Sequence, residues 1–116
     1  MTAPVRSPSP TATAHAITSE AALETYAQRL LQLRKWTEAR TALHQLALLT
    51  PQVTRRRALM AFARGHEAAE QGELARARSE WERALTLDPS LDDARLALAQ
   101  HPLPWLRRMV RRLTAA

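Results

Sequence analysis

Residues 58–90 read ALMAFARGHEAAEQGELARARSEWERALTLDPS, and this stretch decides the fold. Apolar and small residues recur every three or four positions: Leu59, Phe62, Gly65 and Ala69, then Leu74, Ala77, Trp81, Ala84 and Leu85. That spacing is helical, and Gly72 divides it where a left-handed residue can end one helix before a second begins. Pro89 stops the second helix, because proline cannot continue the hydrogen-bond ladder. The unit is a helical hairpin.

The unit has an earlier copy. Ala27, Trp36, Ala39, Leu43, Leu46 and Pro51 recur 38 residues later as Gly65, Leu74, Ala77, Trp81, Ala84 and Pro89. Matched size at one fixed offset is the mark of an array in which each hairpin buries its face on its neighbour. Small residues let paired helices approach, and the large ones fill the space between layers.

These residues resemble a tetratricopeptide repeat: Gly65, Gln71-Gly72-Glu73-Leu74, Ala77, Trp81, Ala84-Leu85 and Leu87-Asp88-Pro89. A degenerate first copy keeps Ala27, Trp36, Ala39, Leu43 and Pro51 but has Arg34 in place of the usual turn glycine. A third copy opens at Asp92 and is cut short at His101-Pro102. The resemblance covers about two thirds of the chain. The period departs from the family's usual 34. The four extra residues fall around Thr54-Arg55-Arg56-Arg57, as an added helical turn with projecting arginines or as an extended loop.

The expected fold is therefore all-α, a tetratricopeptide-like helical-hairpin array of two repeats plus terminal capping helices. Its expected limits are a disordered tail over residues 1–17 and a helical domain over 18–116. The repeats take about 20–53 and 58–91, with a partial repeat and a basic helix over 92–116. Pro4, Pro8 and Pro10 among Ser, Thr and Ala give the tail too little apolar surface to offset its ordering entropy. Ser90 followed by Asp93 reads as the cap opening the third copy.

Composition agrees. The 116 residues include only two glycines and no cysteine, which excludes a disulfide framework, a thiolate zinc site and a cysteine nucleophile. Residues 1–19 carry no apolar run of signal-peptide type, and no stretch is long enough to span a bilayer. A cytoplasmic setting is expected. Of the seventeen basic residues only Lys35 is lysine; with the abundant alanine, this suits a bacterial genome rich in G and C. The net charge of +6 is uneven. Residues 58–100 hold five arginines against eight acids, whereas Arg55-Arg56-Arg57 and Arg107, Arg108, Arg111 and Arg112 form two basic patches.

No catalytic constellation is visible. His66 and Glu70 stand four apart on a helix, as a metal pair requires, but nothing completes the sphere, and a polar helix face is the simpler reading. His15, His44 and His101 have no evident partners. Glu80 with Glu82 and Asp92 with Asp93 read as solvated surface and helix-start charge. The expectation is a non-enzyme without cofactor or metal, whose partner is a protein segment or a second copy.

The resemblance also implies a site. First helices of such repeats line a concave groove, here Glu24, Gln28, Leu31 and Gln32, then Leu59, Phe62, His66, Ala69 and Glu70, then Leu96 and Gln100. Taken singly, Leu59 and Phe62 fit inter-helix core equally well. The family's carboxylate clamp wants Lys, Asn, Asn, Lys and Arg where Glu24, Gln28, Ala63, Asp93 and Ala97 stand, which disfavours that ligand class. The implied function is an adaptor, assembly factor or chaperone-like binder, with a secretion-type chaperone as one variant. Residues 105–113 form an amphipathic stretch, with Leu106, Met109, Val110 and Leu113 opposite the arginines. A cap over the unfinished third layer is the favoured reading. The alternatives are an anionic membrane surface or nucleic-acid phosphates, either of which would make this an accessory protein.

Overall fold

The computed structural model describes residues 10–102 and 112–113, with side chains from Ser19 onward. Five helices and no strand are found among the described residues: α1 (Pro10–Gln32), α2 (Trp36–Leu49), α3 (Thr54–Glu70), α4 (Leu74–Leu87) and α5 (Asp92–Gln100). Each packs on the next in chain order, which makes an all-helical hairpin array. No described helix is long and apolar enough to cross a membrane.

The 38-residue recurrence extends to individual hydrogen bonds. At the upper turns, Arg34 N–H donates to Leu31 O (3.1 Å) and Lys35 N–H to Leu30 O (2.9 Å). Their counterparts are Gly72 N–H to Ala69 O (3.0 Å) and Glu73 N–H to Ala68 O (2.9 Å). At the lower turns, Thr50 N–H to Leu46 O matches Asp88 N–H to Ala84 O, and Val53 N–H to Thr50 O matches Leu91 N–H to Asp88 O. The third layer follows suit, since α5 starts 38 residues after α3.

Arg34 has φ 59° where Gly72 has φ 78°. A side chain in the left-handed region costs roughly 1–2 kcal/mol. Arg34→Gly is therefore expected to stabilise the fold by roughly 0.5–1 kcal/mol, after the unfolded state's extra freedom is deducted. Urea melts would show a higher midpoint at constant slope; a lower midpoint would contradict the turn assignment.

The four extra residues form the first turn of α3, which begins at Thr54. The extended loop is thereby excluded, and the arginines do not all project. Arg57 is exposed and Arg55 reaches Asp88 (2.9 Å), but Arg56 is only 8% exposed. Its guanidinium donates to Glu20 Oε1 (2.7 Å), Glu24 Oε2 (3.3 Å) and Thr50 Oγ1, tying α3 to α1 and to the α2–α3 turn. The Glu20 hydrogen bond, ahead of the Glu24 charge, holds Arg56 above its ordinary pKa. Arg56→Ala should lower stability by about 1.5–3 kcal/mol, the range for charged hydrogen bonds, and calorimetry should show a lower melting temperature. An unchanged melt would remove this cluster from the energetics.

Two further expectations are corrected. Helix α1 starts at Pro10, so residues 10–17, assigned to the tail, are helical. Proline fits the first turn of a helix, where its missing N–H is not required. Residues 1–9 lie outside the described set. Ser90 does not cap α5: Leu91 is the N-cap, without a side-chain bond. Ser90 N–H and Oγ–H instead donate to Asp88 Oδ1 (3.1 and 2.6 Å), and this pairing leads in holding the Asp88 carboxyl below its ordinary range.

The core runs between the paired helices of each hairpin and between successive hairpins. Trp81 is fully buried, and its Nε1–H donates to Phe62 O (3.3 Å). Gly65 makes this possible, because a Cβ there would sit closer than 3.0 Å to Trp81 Nε1, Cδ1 and Cε2. In the first hairpin the equivalent positions are Ala27 and Leu43, also buried. Glycine pairs with the flat indole and alanine with the narrower leucine. Ala39 and Ala77, both at 0% exposure, mark the other close approach.

Candidate functional site: a groove across α1, α3 and α5

An open groove of about 350 Å³ crosses the array on its first-helix side. Helix α1 contributes Gln28, Leu31 and Gln32; α3 contributes Phe62 and His66; α5 contributes Asp93, Leu96, Ala97 and Gln100. The intervals of three and four put each set on one helix face. Arg34, from the α1–α2 turn, and Trp36, opening α2, complete the wall. The Arg34 guanidinium carbon lies 5.7 Å from the Trp36 ring centroid, within cation–π range.

Beneath the groove His66 is enclosed by rings. It stacks on Trp36 with centroids 4.1 Å apart and planes 11° from parallel. Phe62 meets it edge-on at 4.8 Å, and Trp81 at 5.0 Å. His101 lies 6.4 Å from His66 and 5.2 Å from Trp81. Burial, aided by the positive charge of Arg34 and then by His101, pushes the His66 pKa down to about 4. The imidazole is neutral at pH 7 and acts as an aromatic plate. Among the described residues, no three His, Cys, Asp or Glu side chains form a metal-binding group.

Of the residues expected in a groove, Gln28, Leu31, Gln32, Phe62, His66, Leu96 and Gln100 share this one. Glu24 points to Arg56 instead. Leu59 is closed into the core, Ala69 packs half-buried against it, and Glu70 is exposed at the last residue of α3. Arg34, Trp36, Asp93 and Ala97 line the groove but were not expected there. Asp93 and Ala97 do occupy two positions compared with the carboxylate clamp. Arg34 had its own signal, as a long cation at a glycine's turn position.

The first basic patch disperses: Arg55 is tied to Asp88, Arg56 is buried and Arg57 is exposed. Arg107, Arg108 and Arg111 lie outside the described residues, as do Leu106, Met109 and Val110. Arg112 is helical and exposed. Leu113 is 74% exposed, and the rest of the stretch expected to cap the third layer lies outside the described residues. Where the third layer ends, Arg78 of α4 donates to Leu98 O (2.9 Å) and His101 O (2.7 Å), satisfying the last carbonyls of α5. Its counterpart 38 residues earlier, Arg40, reaches the Glu67 carboxylate at 3.2 Å.

Compared with protein-family models, curated proteins and solved structures, the chain finds no match in any of the three.

Proposed function

We propose that this chain is a non-catalytic protein-interaction module of tetratricopeptide type. It acts in the cytoplasm as an adaptor, assembly factor or chaperone-like binder that holds a partner segment in the groove. One observation carries the reading. The first helices of three successive layers, α1, α3 and α5, turn side chains into one open groove. Apolar Leu31 and Leu96 offer anchoring surface there, and Gln28, Gln32 and Gln100 can both donate to and accept from a peptide main chain. The wall chemistry suits holding a segment, because His66 is enclosed by rings and presents an aromatic surface to the groove.

Leu96 is 54% exposed and Leu48, on α2 outside the groove, is 68% exposed, so either can take a charge without disturbing the core. Proteins captured from native lysate by the wild type should be lost with Leu96→Glu and kept with Leu48→Glu, as judged by quantitative mass spectrometry. The opposite pattern would move the binding surface away from the groove.

A further inference from the structure

We infer that the groove reads charge order: its ligand is a short peptide segment with an apolar anchor, an acidic side chain toward Arg34 and a basic side chain toward Asp93. This rests on the groove being the partner site proposed above.

The two charges come from the outer walls of the groove, Arg34 from the first layer and Asp93 from the third, with the α3 floor between. Short turns make neighbouring helices antiparallel, so α1, α3 and α5 run the same way. Asp93 stands in the first turn of α5, whereas Arg34 follows the end of α1 and its guanidinium lies over Trp36, the ring stacked on His66. Neither charge is neutralised by a salt bridge among the described residues. Arg34 rests against Trp36, and the neighbour of Asp93, Asp92, takes Arg95 at 2.8 Å.

Between the poles the wall is apolar or amide: Leu31, Phe62 and Leu96, with Gln28, Gln32 and Gln100. A segment with both charges at one end, or with the order reversed, would set like charges together at a pole. One with no apolar residue would leave Leu31 and Leu96 uncovered. A net-charge preference is not expected, because the poles cancel. What distinguishes ligands is order along the segment.

The test is selection of a display library of random 12-residue peptides on the purified full chain, counter-selected on Leu96→Glu. Peptides that need Leu96 should carry an acid and a base on opposite sides of an apolar residue, in one predominant order. A selected peptide and its charge-reversed twin, compared by fluorescence anisotropy, should differ in affinity by roughly 3–10-fold, as two partly exposed ion pairs allow. The double variant Arg34→Asp with Asp93→Lys should invert that ratio. The neutral pair Arg34→Gln with Asp93→Asn should bring it close to one while keeping the apolar contribution, and added salt should reduce it. Leu96-dependent peptides without charge order, or an order unchanged in both double variants, would overturn the charge reading and leave the groove standing. A selection yielding no Leu96-dependent peptide would overturn both. Thermal melts identify a variant that fails to fold, and the neutral pair then decides alone.

Discussion

Trp81→Ala should lower the stability of the folded chain by roughly 3–5 kcal/mol, the range for emptying a buried aromatic site. The ring is wholly excluded from water, donates to Phe62 O, and fills the approach between α3 and α4. Its pairing with Gly65 makes a sharper test. Gly65→Ala in the wild type should be destabilising by about 1–3 kcal/mol, because the methyl group collides with the indole. In the Trp81→Ala background the collision is gone and alanine is the better helix former. The same change should then stabilise by up to about 1 kcal/mol. A double-mutant cycle in urea reads this reversal of sign directly. Gly65→Ala neutral in both backgrounds would show that the two residues do not define the spacing of α3 and α4.

The second large effect is a loss of stability in mild acid. His66 has a folded pKa of about 4 against an ordinary 6.5, with burial the leading cause. Between those values the unfolded chain takes up a proton that the folded chain refuses. Its contribution is fully present above about pH 6.5, declines as pH falls toward 4, and changes no further below that. The gap corresponds to about 3 kcal/mol at one site. Arg34 and His101 face the same ring and push the same way. His66→Phe keeps the stacking surface on Trp36 and removes the titration, so the wild-type minus variant difference should fall by about that amount between pH 7 and 4. Parallel curves for the two proteins would show that His66 accepts its proton without penalty.

How far these features were legible in the sequence depends on the range of the interaction behind each. The recurrence of Ala27 with Gly65 and Leu43 with Trp81 announced the hairpins, because packing between adjacent helices imposes size at fixed spacing. The groove was legible in the same way: Gln28 with Gln32 and Phe62 with His66 are four apart. Helix α3 misled at Leu59 and Ala69 because it packs against both α2 and α4, so most of its circumference is enclosed. Arg56 was hidden by its flanking arginines, which made the trio look solvated. Its carboxylate partners lie 32 and 36 positions away, beyond any local pattern. The start of α1 at Pro10 had a usable sign in proline's fitness for a first turn, outweighed by a composition that reads as tail.

The buried arginine also fixes the order in which the layers can be strung together. Shifted by one repeat, Arg56 falls on Ala94, while Glu20 and Glu24 fall on Ala58 and Phe62. The first layer thus supplies carboxylates that only the second layer's arginine can use, and the second layer offers the third an apolar surface that Ala94 covers at 0% exposure. Exchanging the second and third layers would set the guanidinium against Leu96 and Gln100 and leave two glutamates facing Ala94. Copying residues 54–91 in tandem should lengthen the array only where Arg56 of the inserted copy becomes alanine. The hairpins share one backbone, yet they are not interchangeable beads: the sequence of layers is written in a single cation and the two anions that wait for it.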